Sequence, residues 1–168
     1  MKIGILGGSF DPAHKGHLAI SKEAKRRFKL EKIIWAVTKK NPLKAESKTP
    51  VSKKIKDCKK IIGLNSFIKV KFYENIIKSN KTIDLINYLK KDKKIEIFFL
   101  MGADNLINFH RWFRSELISQ KCNIIVFDRH GYKKNSLKSK TFKRLNNKTL
   151  TFVEFKKVNI SSSQLRKI

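Results

Sequence analysis

The sequence predicts an α/β fold: a parallel sheet wrapped on both faces by helices. Strand-like and helix-like segments alternate along most of the 168 residues. The strand-like segments are near-continuous apolar runs, as expected of strands buried on both faces. A glycine-rich stretch also joins the first strand to the first helix, where such folds place a phosphate.

Residues 2–6, apolar at Ile3, Ile5 and Leu6, read as the first strand, and residues 16–28 as an amphipathic helix. Residues 32–37 form a second strand. A polar loop over 38–50 holds two of the three prolines. Ile55, Cys58, Ile61 and Ile62 give residues 51–62 helical spacing. Residues 67–72 read as a strand, and 82–90 as a helix with Ile83, Ile86 and Leu89 on one face. Residues 95–101 form the most hydrophobic strand, a helical pattern runs on to 119, and 123–127 is a fifth strand. Residues 131–148, rich in Lys, Ser and Asn, read as a solvated connection with one short helix at most. The length suits one domain over 1–168.

The stretch Gly7-Gly8-Ser9-Phe10-Asp11-Pro12-Ala13-His14-Lys15-Gly16-His17 carries the chemistry. Glycines at a strand end let backbone N–H groups approach a phosphate. Pro12 fixes its own φ and keeps Asp11 out of the helical region, which forces a turn. His14 and His17, three residues apart at the helix opening, then face the same phosphates. The stretch lacks GxGxxG spacing and a GK[ST] element, so it implies neither hydride transfer nor P-loop hydrolysis.

In parallel sheets the ligand lies at the carboxyl ends of the strands. Thr38-Lys39-Lys40-Asn41, Gly102-Ala103-Asp104 and Asp128-Arg129 all fall at such ends. Near the C-terminus, Ser161-Ser162-Ser163 precedes a helical stretch with Arg166 one turn on. Hydroxyls and free N–H groups at a helix start suit phosphate, and an arginine adds a charged fork.

Lys and Arg number 40 against 13 Asp and Glu, a formal net charge of +27. The excess is mostly lysine and is spread along the chain, which reads as a solvated lysine surface, not a nucleic-acid arm. Such a field draws anionic nucleotides toward a site. No apolar run reaches the length of a membrane span. The chain opens on a strand, not on a signal peptide. Cys58 and Cys122 match no metal or redox spacing and suit a cytoplasmic protein. The sequence leaves homo-oligomerisation open.

Gly8-Ser9-Phe10-Asp11-Pro12 followed by His14-Lys15-Gly16-His17 resembles the GxFDPxHxGH signature of the HxGH nucleotidyltransferase superfamily, whose sheet is Rossmann-like. Ile160-Ser161-Ser162-Ser163-Gln164-Leu165-Arg166 resembles its ISSTxIR motif. Further segments narrow the resemblance to the bacterial nicotinate-nucleotide adenylyltransferases. Asn41-Pro42-Leu43-Lys44 is similar to their loop after the second strand. Met101-Gly102-Ala103-Asp104-Asn105-Leu106, with Phe109-His110-Arg111-Trp112, is similar to their MGADNL and FHRW segments, and Val126-Phe127-Asp128-Arg129 to the strand before the final third.

The resemblance implies attack of nicotinate mononucleotide on the α-phosphate of ATP, a step of NAD biosynthesis. His14, His17, Lys44 and Arg166 would be the catalytic set, neutralising charge along the triphosphate. Gly7, Gly8, Ser9, Phe10, Gly102, Asp104, Ser161, Ser162 and Ser163 would complete the ATP site with His14, His17 and Arg166. Lys44, Thr82, Trp112 and Arg129 would face the acceptor, with Trp112 stacked on the pyridine ring. Mg²⁺ would arrive with ATP, and no protein metal site is expected. Leu85 stands where the family usually has the second threonine of a TxxT pattern. Competing readings are a phosphopantetheine adenylyltransferase of the same fold and a basic nucleic-acid-binding protein with a retired active site. The motif set speaks against both, so neither membrane nor nucleic acid is an expected partner.

Overall fold

The computed structural model describes residues 1–39 and 48–155. Six strands form one parallel sheet: β1 (Lys2–Gly8), β2 (Lys32–Val37), β3 (Ile68–Lys71), β4 (Glu96–Gly102), β5 (Asn123–Phe127) and β6 (Leu150–Val153). Their spatial order is β3-β2-β1-β4-β5-β6. Strand order reverses between β1 and β4, which places the ligand crevice of this Rossmann-like arrangement at their carboxyl ends.

The predicted α/β class therefore holds. Strand β4 shows why the apolar runs are continuous. Ile97, Phe99 and Met101 enter one core layer, and Phe98 and Leu100 enter the other. The second layer is filled by α1 (Lys15–Phe28) and α2 (Val51–Ile62) through Ala24, Cys58 and Ile62. The first is filled by α4 (Thr82–Leu89), α5 (Ala103–Asn108) and α6 (Ser115–Lys121) through Ile83, Ile86, Leu106 and Ile118. Each fully buried Ile, Leu or Phe adds about 1.5–3 kcal/mol of hydrophobic stabilisation. The connection from α1 into β2 packs close over β1 because Gly4 has no side chain. A Cβ there would lie 2.9 Å from Leu30 Cδ1 and 3.1 Å from Ile33 Cγ1.

Several boundaries differ from the expectation, each for a tertiary reason. Strand β1 runs on through Gly7 and Gly8, because they pair with Ala36 and Val37 of β2. The turn thus begins at Ser9. The helical pattern up to residue 119 is interrupted. A 3₁₀ turn at Phe109–Arg111 follows α5, Trp112 is extended, and Arg114 is left-handed at φ 53° before α6. A four-residue helix α3 (Glu74–Ile77) precedes α4. Residues 131–148 are not a solvated connection. They hold α7 (Lys133–Leu137) and α8 (Lys140–Leu145), which bury Ser136, Thr141 and Leu145. Strand β6, absent from the sequence reading, then pairs with β5. Among the described residues, no helix is long and apolar enough to cross a membrane.

Candidate active site

The turn after β1 is anchored from below. Phe10 is left-handed at φ 49° and only 1% exposed. A bulky residue is rarely left-handed, so its packing must hold it there. Its ring stacks on Trp35 at 5.1 Å and leans on His17 at 4.6 Å. Trp35, fully buried in β2, donates its indole N–H to Ser21 Oγ at 2.8 Å. Ser21 in turn donates to the His17 carbonyl at 2.8 Å. The opening of α1 is thereby tied to the middle of the sheet. The Asp11–Pro12 bond in this turn is cis, and Thr49 Oγ1 donates to Asp11 Oδ1 at 2.7 Å.

His14 and His17 form a reciprocal cap on α1. His14 Nδ1 accepts from the Gly16 N–H at 3.0 Å, and His17 Nδ1 accepts from the His14 N–H at 3.1 Å. Each ring uses Nδ1 as an acceptor, so its proton resides on Nε2. The ring centroids lie 3.9 Å apart. Burial, then the positive Arg129 nearby, lowers the His14 pKa to about 4. Burial first, then His14 and Arg129, holds His17 well below its ordinary value. The result is two neutral imidazoles side by side, each with an Nε2–H donor.

Asp104, in the first turn of α5, pairs with Arg129 across a 2.7 Å contact between Oδ2 and Nη1. Its other oxygen, Oδ1, is buried with no hydrogen-bond partner among the described residues. Gly102 makes room for this carboxylate. A Cβ at 102 would sit 2.6 Å from Oδ1 and displace it. The end of β4 and the residue after Asp128 are thereby coupled next to the histidines.

A cavity of about 410 Å³ opens at the ends of β1 and β2. Gly7, Gly8, Ser9, Thr82, Leu85, Phe99 and Trp112 are among the residues that line it. Trp112 is half-buried, edge-on to Phe99 at 5.9 Å and 5.1 Å from Phe109. It both packs on the core and faces the cavity. Thr82 opens α4, whose N-terminus carries the positive end of the helix dipole. Lys81 and Arg111 add positive charge to the lining. Such a cavity accommodates a flat ring against Trp112 and an anionic group toward α4.

The structure thus brings Thr82 and Trp112 together with Gly7, Gly8 and Ser9, and brings His14 and His17 together at the end of the turn that Ser9 begins. Two expectations change. Phe10 is a core side chain whose part in the site is to hold the turn. Arg129, expected to face the acceptor, is paired with Asp104 and lies near the histidines; two strands, β1 and β4, separate β5 from β2. Lys44, Ser161, Ser162, Ser163 and Arg166 lie outside the described residues.

Sequence reasoning missed Ser21, Trp35, Lys54 and Glu74. Lys54 is 1% exposed, with Nζ 3.2 Å from the Thr38 carbonyl and 3.4 Å from that of Lys39, so it supports the end of β2. In a helix that also carries Lys53, Lys56, Lys59 and Lys60, its place four residues before Cys58 and eight before Ile62, on the apolar face, is the one signal that sets Lys54 apart. For Ser21, only its spacing of one helical turn from His17 was available as a signal.

The model of the cytidylyltransferase-like family matches residues 5–168. A Pelagibacter ubique (strain HTCC1062) protein named "Probable nicotinate-nucleotide adenylyltransferase" is 67% identical over 167 residues, covering 99% of this chain and 93% of that protein. A protein of the same name from Methylorubrum extorquens (strain PA1) is 37% identical over 134 residues, covering 79% and 72%. The fold is that of Plasmodium falciparum nicotinic acid mononucleotide adenylyltransferase complexed with NaAD, with a TM-score of 0.78 and 22% identity over 99% of this chain and 82% of that one. On the strength of the matching family model and these sequence relatives, the chain belongs to the cytidylyltransferase-like family and, within it, to the nicotinate-nucleotide adenylyltransferases.

Proposed function

We propose that this protein transfers the adenylyl group of ATP to nicotinate mononucleotide, releasing pyrophosphate and forming nicotinate adenine dinucleotide. The observation that carries this reading is the pair of neutral histidines at the start of α1, one turn of chain from a cavity walled by Trp112 and Thr82. The relatives' names and the Plasmodium enzyme's complexes with NaAD and APC support it.

A phosphate oxygen of the mononucleotide attacks the α-phosphorus in line. The bond from that phosphorus to the bridging oxygen breaks, and pyrophosphate leaves with the electron pair. Such a displacement needs positioning and charge stabilisation more than covalent help. The Nε2–H groups of His14 and His17 donate to the α-phosphoryl and leaving oxygens. Being neutral, they need lose no proton to do so. Lys44, Ser161, Ser162, Ser163 and Arg166 are proposed around the β- and γ-phosphates. Gly7, Gly8, Ser9, Gly102 and Asp104 border the nucleotide, with Arg129 holding Asp104 toward it. Trp112 stacks on the pyridine ring, and Thr82 at the α4 N-terminus faces its carboxylate.

Among the described residues, no group of three or more His, Cys, Asp or Glu side chains is placed to hold a metal ion. The divalent ion, Mg²⁺ in this reading, would arrive with ATP, held by phosphate oxygens and water. It would supply charge neutralisation on the triphosphate. The two buried cysteines are unbridged, which suits a reducing cytoplasm.

The test is turnover with ATP and, in parallel, nicotinate mononucleotide, nicotinamide mononucleotide and phosphopantetheine. Pyrophosphate release with nicotinate mononucleotide is expected. Release with phosphopantetheine alone would refute the reading.

A further inference from the structure

Two polar atoms of residues lining the cavity are buried with no hydrogen-bond partner among the described residues: Glu74 Oε1 and Thr38 Oγ1. Glu74 is the one acidic side chain among the described residues that line the cavity. Its other oxygen accepts from the Lys39 N–H at 3.3 Å, which ties α3 to the end of β2. Thr38 donates its own N–H to the Gly8 carbonyl at 3.0 Å. Both orphans therefore sit where β1 and β2 end, beside the strand that leads into the histidine turn. An orphaned buried acceptor costs free energy that a bound donor would recover.

We infer that Glu74, with Thr38 beside it, is a specificity-determining residue that accepts a hydrogen bond from the ribose diol of the acceptor mononucleotide. This rests on the acceptor reading given above. With the ring against Trp112 and the phosphate toward the turn, the sugar between them passes Glu74. The ribose hydroxyls are donors. The nicotinate carboxylate has no proton to give and cannot satisfy Oε1, so it belongs at the α4 end with Thr82. The carboxyl group of Glu74 thus selects for a ribose-bearing acceptor and fixes which way round it enters.

The test compares wild type, Glu74→Gln and Thr38→Val by calorimetric titration and turnover. The ligands are nicotinate mononucleotide, nicotinamide mononucleotide, and the 2′-deoxy and 3′-deoxy forms of nicotinate mononucleotide. Glu74→Gln should weaken both ribose mononucleotides on the order of tenfold, as expected for loss of a charge-assisted hydrogen bond. The ATP KM and the melting temperature should hold. For one deoxy analogue, wild type and Glu74→Gln should bind alike, because the donor is already gone. Thr38→Val should weaken the acceptor while leaving the melting temperature equal or higher, since it removes an unpartnered hydroxyl. Unchanged acceptor affinity in Glu74→Gln overturns the inference. So does a loss confined to nicotinamide mononucleotide, which would mean that Glu74 reads the ring substituent. Failure of wild type itself to bind or turn over nicotinate mononucleotide would overturn the acceptor reading as well, and is seen before any variant is made.

Discussion

His14 has two separable jobs, and a pair of substitutions separates them. Its Nδ1 caps α1 through the Gly16 N–H, and its Nε2–H is the proposed phosphate donor. His14→Ala removes both. Losing a side-chain N-cap costs about 1 kcal/mol, which lowers the melting temperature of a chain this size by about 2–4 °C. His14→Asn restores the cap, since Asn is among the best N-cap residues, but its short amide does not reach the Nε2 position. Turnover should fall in both variants, on the order of 10²–10³-fold, as for removal of one preorganised transition-state donor. Thermal melts and pyrophosphate release read the two effects independently. If His14→Asn turned over at near wild-type rate, the donor role of Nε2–H would be refuted. If it melted as low as His14→Ala, the cap would not be what Nδ1 contributes.

The remaining expectations concern pH and the cavity. The native His14 pKa of about 4 lies below its ordinary 6.5, so the unfolded chain binds the proton first. The stability it contributes is complete above pH 6.5 and is lost as pH falls toward 4, on the order of 3 kcal/mol in all. His14→Asn should flatten that part of the stability–pH curve, and an apparent kinetic pKa near 6.5 that disappears in His14→Asn would contradict a neutral His14. Trp112→Ala should weaken nicotinate mononucleotide binding roughly five- to hundredfold, the range for loss of aromatic stacking. Calorimetry should show ATP affinity unchanged. Because Trp112 also packs on Phe99 and Phe109, a lower melting temperature accompanies the change. Trp112→Phe should recover part of both effects. Leu85 lines the cavity, so Leu85→Thr places a hydroxyl there and should lower the KM for nicotinate mononucleotide roughly two- to tenfold, the worth of one neutral hydrogen bond. An unchanged or higher KM would mean that the carboxylate lies elsewhere.

The parallel α/β class was legible because burial on both faces leaves its mark residue by residue, as Ile97 to Met101 show by filling two layers from one unbroken apolar run. The segment carrying His14 and His17 stood out by its spacing, and Trp112 and Thr82 entered as site candidates only through the family resemblance. Strand β6 and the packed helices over 131–148 were not, since four- to six-residue elements give a periodic signal too short to separate from a loop. That Arg129 pairs with Asp104 and that Phe10 packs on Trp35 was not legible. Which partner a side chain meets depends on strand order and on what packs beneath it, and neither is a local property. The same holds for Glu74. Its orphaned oxygen exists only because α3, β2 and the cavity meet at one place. Local sequence determined which chemical groups this protein carries and the elements that hold most of them. Tertiary structure alone decided which of those groups face one another, because burial and hydrogen bonding are settled between segments far apart in the chain.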